Sequence, residues 1–123
     1  MDYREELKQQ YKERTPVAGL YLIKNRQTGK VFLGSSMDLH GPLNRHRSEL
    51  MFGSHRLSQL QQDWNEQGEK AFDFRILETV SGKNESQETV ANRLAQREKY
   101  WWWKLNPQAP AGYNREAFVR RDP

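Results

Sequence analysis

Six polar side chains carry the groups that could do chemistry in this chain of 123 residues. They are a phenol, a guanidinium, two imidazoles, a carboxylate and an amide: Tyr21, Arg45, His46, His55, Glu98 and Asn114. Phenols, imidazoles and carboxylates can transfer protons, and a carboxylate can also hold a hard metal ion. The chain contains no P-loop, no HExxH zinc motif and no nucleophile elbow, so these residues alone do not specify a reaction.

Each of these residues also has a purely structural interpretation. His46 is compatible with a half-buried histidine whose hydrogen bonds are satisfied, and Glu98 with a solvated carboxylate on a helix. The tryptophans 101–103 are compatible with a helix that is partly core and partly surface. Which interpretation applies therefore depends on the elements that position these side chains.

The segment 19–35 predicts a β-hairpin around which the rest of the chain is organised. Its two arms are rich in aliphatic, β-branched and aromatic residues, and they flank a polar stretch in which Gly29 can adopt the positive φ of a tight turn. Alternation along the first arm places Leu20 and Tyr21 on opposite faces. At least one face must therefore be covered by the remainder of the chain.

The downstream pattern predicts two helices, a third strand and a long helix. Pro42 suits the first turn of a helix that ends at Gly53, and apolar residues at helical spacing predict a second helix over 57–67. Alternation predicts a strand over 72–80, and helical spacing predicts a helix over 88–105. This order, β-β-α-α-β-α, predicts an α+β fold with a small three-stranded mixed or antiparallel sheet, flanked by helices and covered mainly on one face.

The two ends of the chain are predicted to lie outside this domain. Residues 1–16 predict a helical arm, because Tyr3, Leu7 and Tyr11 recur at four-residue spacing. Residues 115–123 predict a basic tail. The domain itself is therefore expected over 17–114.

Composition excludes some classes of protein and favours others. The chain has no cysteine, which excludes disulfides and thiolate metal sites. No apolar run approaches the roughly 20 residues that span a bilayer, so a cytoplasmic protein is expected. A net charge of +4 is compatible with a nucleic-acid partner, although mixed charges are also common on ordinary solvated surfaces.

The order and spacing of the candidate residues resemble the GIY-YIG nuclease family. Gly19-Leu20-Tyr21 and Phe32-Leu33-Gly34 look like the two halves of its signature. Further matches follow in the family's order through nearly the whole chain: Arg45-His46, Gly53-Ser54-His55, Asp63-Trp64-Asn65, Glu98, Tyr100-Trp101 and Gly112-Tyr113-Asn114. An ordered series of this length is much more specific than the hairpin signature alone.

The resemblance implies a metal-dependent endonuclease in which water attacks a backbone phosphate of nucleic acid, with DNA expected more than RNA. Glu98 would hold a single divalent ion, Mg²⁺ or Mn²⁺, because a lone carboxylate with waters suits such an ion. Tyr21 would help to activate the water. His46, His55 and Asn114 would support the tyrosine, the phosphate or the fold.

Two residues depart from the family pattern. Phe32 replaces the second signature tyrosine and lacks its hydroxyl, and Pro42 stands where the family has an arginine. A lost oxyanion donor typically costs about 10²- to 10³-fold in rate, and a cationic clamp on a phosphoryl group is worth roughly 10³- to 10⁵-fold. Arg45, one helical turn after Pro42, is the candidate replacement, and Arg47 and Lys24 are weaker ones.

Three functions remain open at this point. The first is a working nuclease weakened by these two losses. The second is a catalytically inactive protein of the same fold that binds nucleic acid or a protein partner. The third is an inhibitor or counter-defence factor, because the family is common on phages and mobile elements. A homodimer through the tryptophans is a further hypothesis.

Overall fold

A computed structural model describes residues 16–80 and 84–115 of the chain. Its elements are β1 (Gly19–Asn25), β2 (Val31–Ser36), α1 (Pro42–Met51), α2 (Ser58–Gln67), a 3₁₀ turn (Glu69–Ala71), β3 (Phe72–Thr79) and α3 (Gln87–Leu105). The predicted order β-β-α-α-β-α is confirmed, and every predicted boundary lies within two residues of the observed one. The predicted N-terminal arm and the tail beyond Arg115 lie outside the described residues. In the described part of the chain, no helix is both long and apolar enough to span a membrane.

The three strands form one antiparallel sheet in the order β2-β1-β3, so β1 is central and β2 is an edge. Tyr21 on β1 pairs with Gly34 on β2, and Leu20 pairs with Ser35. Because neighbouring residues of a strand point to opposite faces, Tyr21 and Gly34 share one face while Leu20 and Ser35 share the other. This register decides which helix can reach which residue of β2.

Helices cover both faces of the sheet, so the expectation of cover mainly on one face was wrong. One core cluster joins the sheet to α1 and α2, and it includes Tyr21, Ile23, Leu43, Leu50, Leu60 and Trp64. A second cluster joins the sheet to α3, and it includes Leu20, Leu33, Val90 and Leu94. Trp101 and Trp102 pack against this second cluster, whereas Trp103 is 78% exposed. The central strand is therefore buried on both sides.

A buried network of hydrogen bonds that starts at Asn25 stabilises the hairpin turn. The side-chain oxygen of Asn25 accepts the backbone N–H of Gln27 at 2.9 Å and of Thr28 at 3.3 Å. Its amide nitrogen donates to the Tyr113 hydroxyl at 3.0 Å, and that hydroxyl donates to the Asp63 carboxylate at 2.6 Å. Burial, together with the Asp63 carboxylate, raises the pKa of Tyr113, which keeps this hydroxyl a donor. The network ties the hairpin to α2 and to the C-terminal segment.

Tyr113→Phe should lower the free energy of unfolding by about 2–4 kcal/mol, because Asn25 and Asp63 would each lose a buried partner. Urea unfolding measures this. Tyr100→Phe is the matched control, since Tyr100 is 42% exposed, and it should change stability by less than about 0.5 kcal/mol. Equal effects of the two substitutions would show that the network does not stabilise the fold.

Candidate active site

Three hydrogen bonds run in sequence from the backbone of the loop after α1 to the Tyr21 hydroxyl. The hydroxyl lies 2.9 Å from Nε2 of His46, and Nδ1 of His46 lies 2.8 Å from Nε2 of His55. Nδ1 of His55 accepts the backbone N–H of Leu57 at 3.1 Å. All three side chains are buried. The fold thus joins three of the sequence-predicted site residues directly.

The Leu57 amide fixes the direction of this chain of hydrogen bonds. Because Nδ1 of His55 is an acceptor, a neutral His55 ring carries its proton on Nε2. His55 therefore donates to Nδ1 of His46, which leaves the His46 proton on Nε2. His46 in turn donates to the Tyr21 oxygen. Both histidines are hydrogen-bond donors toward the tyrosine, and the proton of the Tyr21 hydroxyl can be directed to another acceptor.

Burial keeps both imidazoles neutral. It lowers the pKa of His46 to about 3, and the neighbouring His55 and Arg45 contribute in the same direction. It also lowers the pKa of His55, against the opposing influence of the Glu49 carboxylate. At neutral pH, neither ring therefore carries the second proton that would disrupt the hydrogen bonds.

Donor atoms of His46, Glu49 and His55 all lie within 4.8 Å of one another, which is the spacing of a possible metal site in the described residues. The set resembles the two histidines and one glutamate of some zinc enzymes. The hydrogen bonds argue against a metal ion in this cluster. Neutral His55 accepts at Nδ1, so it carries its proton on Nε2, the atom that faces His46 and Glu49. A protonated Nε2 cannot be a metal ligand. We therefore assign this cluster to hydrogen bonding.

Tyr21 and Glu98 approach the edge strand β2 from opposite faces of the sheet. The Tyr21 ring lies directly over Gly34, where an added Cβ would stand 2.6 Å from the hydroxyl oxygen. The next residue, Ser35, donates its hydroxyl to Oε1 of Glu98 at 3.2 Å. Burial raises the pKa of Tyr21, the positive charges of Arg45 and Arg56 lower it, and Glu98 raises it further. The phenol and the carboxylate are therefore close enough for the charge of one to act on the other.

Glu98 has the chemistry that fits a divalent ion. It is a carboxylate on α3 that is only 8% exposed, so its interpretation as a solvated helix residue was wrong. Its contact with the Ser35 hydroxyl is the kind of interaction that orients a metal-ligating carboxylate. Carboxylate oxygens are the preferred protein ligands of Mg²⁺, which usually keeps several of its waters.

Three other residues singled out by the sequence surround this centre. Asn114 bonds both backbone groups of Leu33, since its oxygen accepts the N–H and its nitrogen donates to the C=O, each at 2.9 Å. The Phe32 ring packs against the His46 ring at 5.1 Å between centroids and against the Tyr21 ring at 6.2 Å. Pro42 is buried at the start of α1. These residues shape and hold the walls of the site.

Two arginines act on the Tyr21 hydroxyl. Arg45, exposed on α1, and Arg56, exposed in the loop before α2, each lower the pKa of Tyr21 and of both histidines. Arg45 was predicted from the sequence as a site residue, whereas Arg56 was not. The available signal was its position directly after His55.

Comparisons with known proteins agree with this fold. A family model described as the GIY-YIG catalytic domain matches residues 17–114. Intron-associated endonuclease 1 of Enterobacteria phage T4 is 32% identical over 97 residues, which cover 79% of this chain and 36% of that protein. The chain thus spans about a third of the length of this relative.

Two solved structures are also similar. The catalytic domain of homing endonuclease I-TevI superposes with a TM-score of 0.62 at 32% identity, over 81% of this chain and 99% of that domain. A mutant of the catalytic domain of intron endonuclease I-TevI superposes with a TM-score of 0.64 at 29% identity, over 84% and 97% of the two chains. Both similarities extend over most of the elements described above.

Proposed function

The chain belongs to the GIY-YIG family, and from that premise we propose that it is a metal-dependent endonuclease that hydrolyses the phosphodiester bonds of DNA. One observation carries the proposal. Tyr21, whose hydroxyl accepts from neutral His46, and the buried Glu98 carboxylate contact neighbouring residues of the same strand. A general base and a ligand for a hard cation are thus available on the two sides of one edge strand.

Tyr21 is the proposed general base. After losing its own proton to solvent, the phenolate accepts a proton from the attacking water. His46 donates a hydrogen bond to the phenolate oxygen, and His55 holds His46 in the tautomer that can do so. The charges of Arg45 and Arg56 favour the phenolate as well. The histidines serve as donors and do not themselves take up the proton.

Glu98 is the proposed metal ligand, for Mg²⁺ or Mn²⁺. When bound, such an ion would supply Lewis-acid stabilisation of the charge that develops on the phosphate. Ser35 orients the Glu98 carboxylate through its hydroxyl. Asn114 is proposed as a positioning residue, because it bonds the backbone of Leu33, one residue before Gly34.

An inactive nucleic-acid-binding protein is the second candidate function. The loss of the family arginine at Pro42 and of the hydroxyl at Phe32 favours it, because each removes a group expected to stabilise the transition state. The exposed arginines beside Tyr21 would still bind phosphate without chemistry. Cleavage and binding therefore have to be measured side by side.

The test is to incubate the protein with supercoiled plasmid, with single-stranded DNA and with RNA, in Mg²⁺, in Mn²⁺ and in EDTA. We expect nicked and linear plasmid with either ion and none in EDTA. Glu98→Ala, purified identically, controls for contaminating nucleases. Binding without cleavage under every condition would reject the nuclease and favour the second candidate.

A further inference from the structure

The eight arginines in the described ranges, 16–80 and 84–115, fall into two groups. Five of them pair with a carboxylate: Arg26 and Arg75 with Asp73, Arg47 with Glu69, Arg93 with Glu85 and Arg97 with Glu78. The other three, Arg45, Arg56 and Arg115, have no described carboxylate within ion-pair distance. The first five arginines take part in ion pairs within the fold, whereas the charge of the other three is available to a ligand.

Each arginine of the second group is the direct neighbour of a residue at the candidate site. Arg45 precedes His46 on α1, Arg56 follows His55 in the loop, and Arg115 follows Asn114. Arg115 also donates to the backbone carbonyl of Arg56 at 2.7 Å. Arg45 and Arg56 thus act on Tyr21 from two different segments of the chain, and the Arg115 side chain reaches the Arg56 backbone from a third.

The loop that carries Arg56 is held in place by its surroundings. The backbone N–H of His55 donates to Oε1 of Gln61 at 3.0 Å, and Nε2 of Gln61 donates to the carbonyl of Leu50 at 3.0 Å. The Arg115 guanidinium fixes the next carbonyl along the loop. The backbone at Arg56 is therefore held in one position. Less entropy is lost when the Arg56 side chain binds a ligand.

Clustered cations repel one another, and an anion placed between them relieves that repulsion. Guanidinium groups match a phosphate particularly well, because their planar forks donate two parallel hydrogen bonds. The charges of Arg45 and Arg56 act on Tyr21, the proposed base for hydrolysis of a phosphodiester. The anion that best fits this position is therefore the phosphate that is cut.

We infer that Arg45 and Arg56 form a two-sided clamp on the scissile phosphate beside Tyr21, and that Arg115 positions the Arg56 loop. The inference rests on the proposed nuclease function and names the residues that bind its substrate. The clamp supplies the positive charge that Pro42 cannot supply at the start of α1. Two arginines from different segments thus replace one arginine at a helix terminus.

The first test compares single-turnover cleavage by Arg45→Gln and Arg56→Gln with cleavage by Arg26→Gln. Arg26 is the matched control, because it has the same charge, is exposed and pairs with Asp73 away from the site. Each clamp substitution should slow cleavage by about 10²- to 10³-fold, and the control by less than about 3-fold. If the wild-type protein cleaves DNA and all three variants match its rate, the clamp is wrong.

A second measurement does not depend on cleavage. Binding of duplex DNA is followed in EDTA over a range of salt concentrations, and the slope of log K against log salt is compared among the same proteins. Each clamp substitution should reduce the slope by about 1, with the control unchanged. Reduced slopes in a protein that never cleaves would reject the nuclease and show that Arg45 and Arg56 bind a phosphate that is not cut, whereas unchanged slopes would reject the clamp.

Discussion

Tyr21→Phe should slow DNA cleavage by about 10²- to 10⁴-fold, which is the usual contribution of general base catalysis. The substitution removes one oxygen and leaves the ring against Gly34, Phe32 and His46. The buried Nε2–H of His46 would lose its acceptor, so stability should fall by about 1–3 kcal/mol. The fold and the affinity for DNA should be retained.

Tyr100→Phe is the matched control for this substitution, because Tyr100 lies on the exposed side of α3. It should cleave DNA at the wild-type rate. Single-turnover kinetics at saturating protein separates the chemical step from binding. If Tyr21→Phe retained cleavage within about tenfold of wild type, Tyr21 would not be the base.

Glu98→Gln should reduce cleavage by at least about 10³-fold and should abolish the response to Mg²⁺ and Mn²⁺. Glutamine keeps the size of the side chain and can still accept a hydrogen bond from Ser35. It lacks the negative charge that holds a hard cation. Binding of Mn²⁺, measured by its paramagnetic resonance signal, should be lost in parallel with cleavage.

Glu49→Gln provides a matched control that also tests the alternative metal site. The Glu49 carboxylate lies 3.8 Å from Nε2 of His55 and belongs to the cluster that could hold an ion by spacing alone. Because hydrogen bonds occupy the facing histidine atoms, Glu49→Gln should keep both Mn²⁺ binding and cleavage. If Glu49→Gln lost the ion while Glu98→Gln kept it, the metal assignment would have to be reversed.

The order of elements could be predicted from the sequence because apolar periodicity, Pro42 and Gly29 each specify local structure. The packing of helices on both faces of the sheet could not be predicted from the sequence. Leu20 and Tyr21 point to opposite faces and are both apolar enough to be buried, so alternation along β1 does not show which face is covered. Only the packing of α1 and α2 on one side and α3 on the other reveals two buried faces.

The candidate site was predictable in its residue types but not in its hydrogen bonding. His46 and His55 were singled out by resemblance, yet their roles as donors depend on a backbone amide, that of Leu57, which has no side-chain signal. Arg56 was missed because its one sequence signal, the position directly after His55, does not distinguish it from other surface charges. What distinguishes it is the lack of a carboxylate partner in the described structure, together with the Arg115 bond to its carbonyl.

The most direct test of the whole account is the single-turnover rate of DNA cleavage by the wild-type protein at saturating Mg²⁺, between about pH 6 and pH 9. The pKa of Tyr21 is raised above the usual value for a phenol, so the phenolate fraction should rise about tenfold per pH unit across this range. If the Tyr21 phenolate is the base, cleavage depends on Mg²⁺ and its rate follows that slope. Absence of cleavage at every pH, or a rate that is already flat above pH 7, would contradict it.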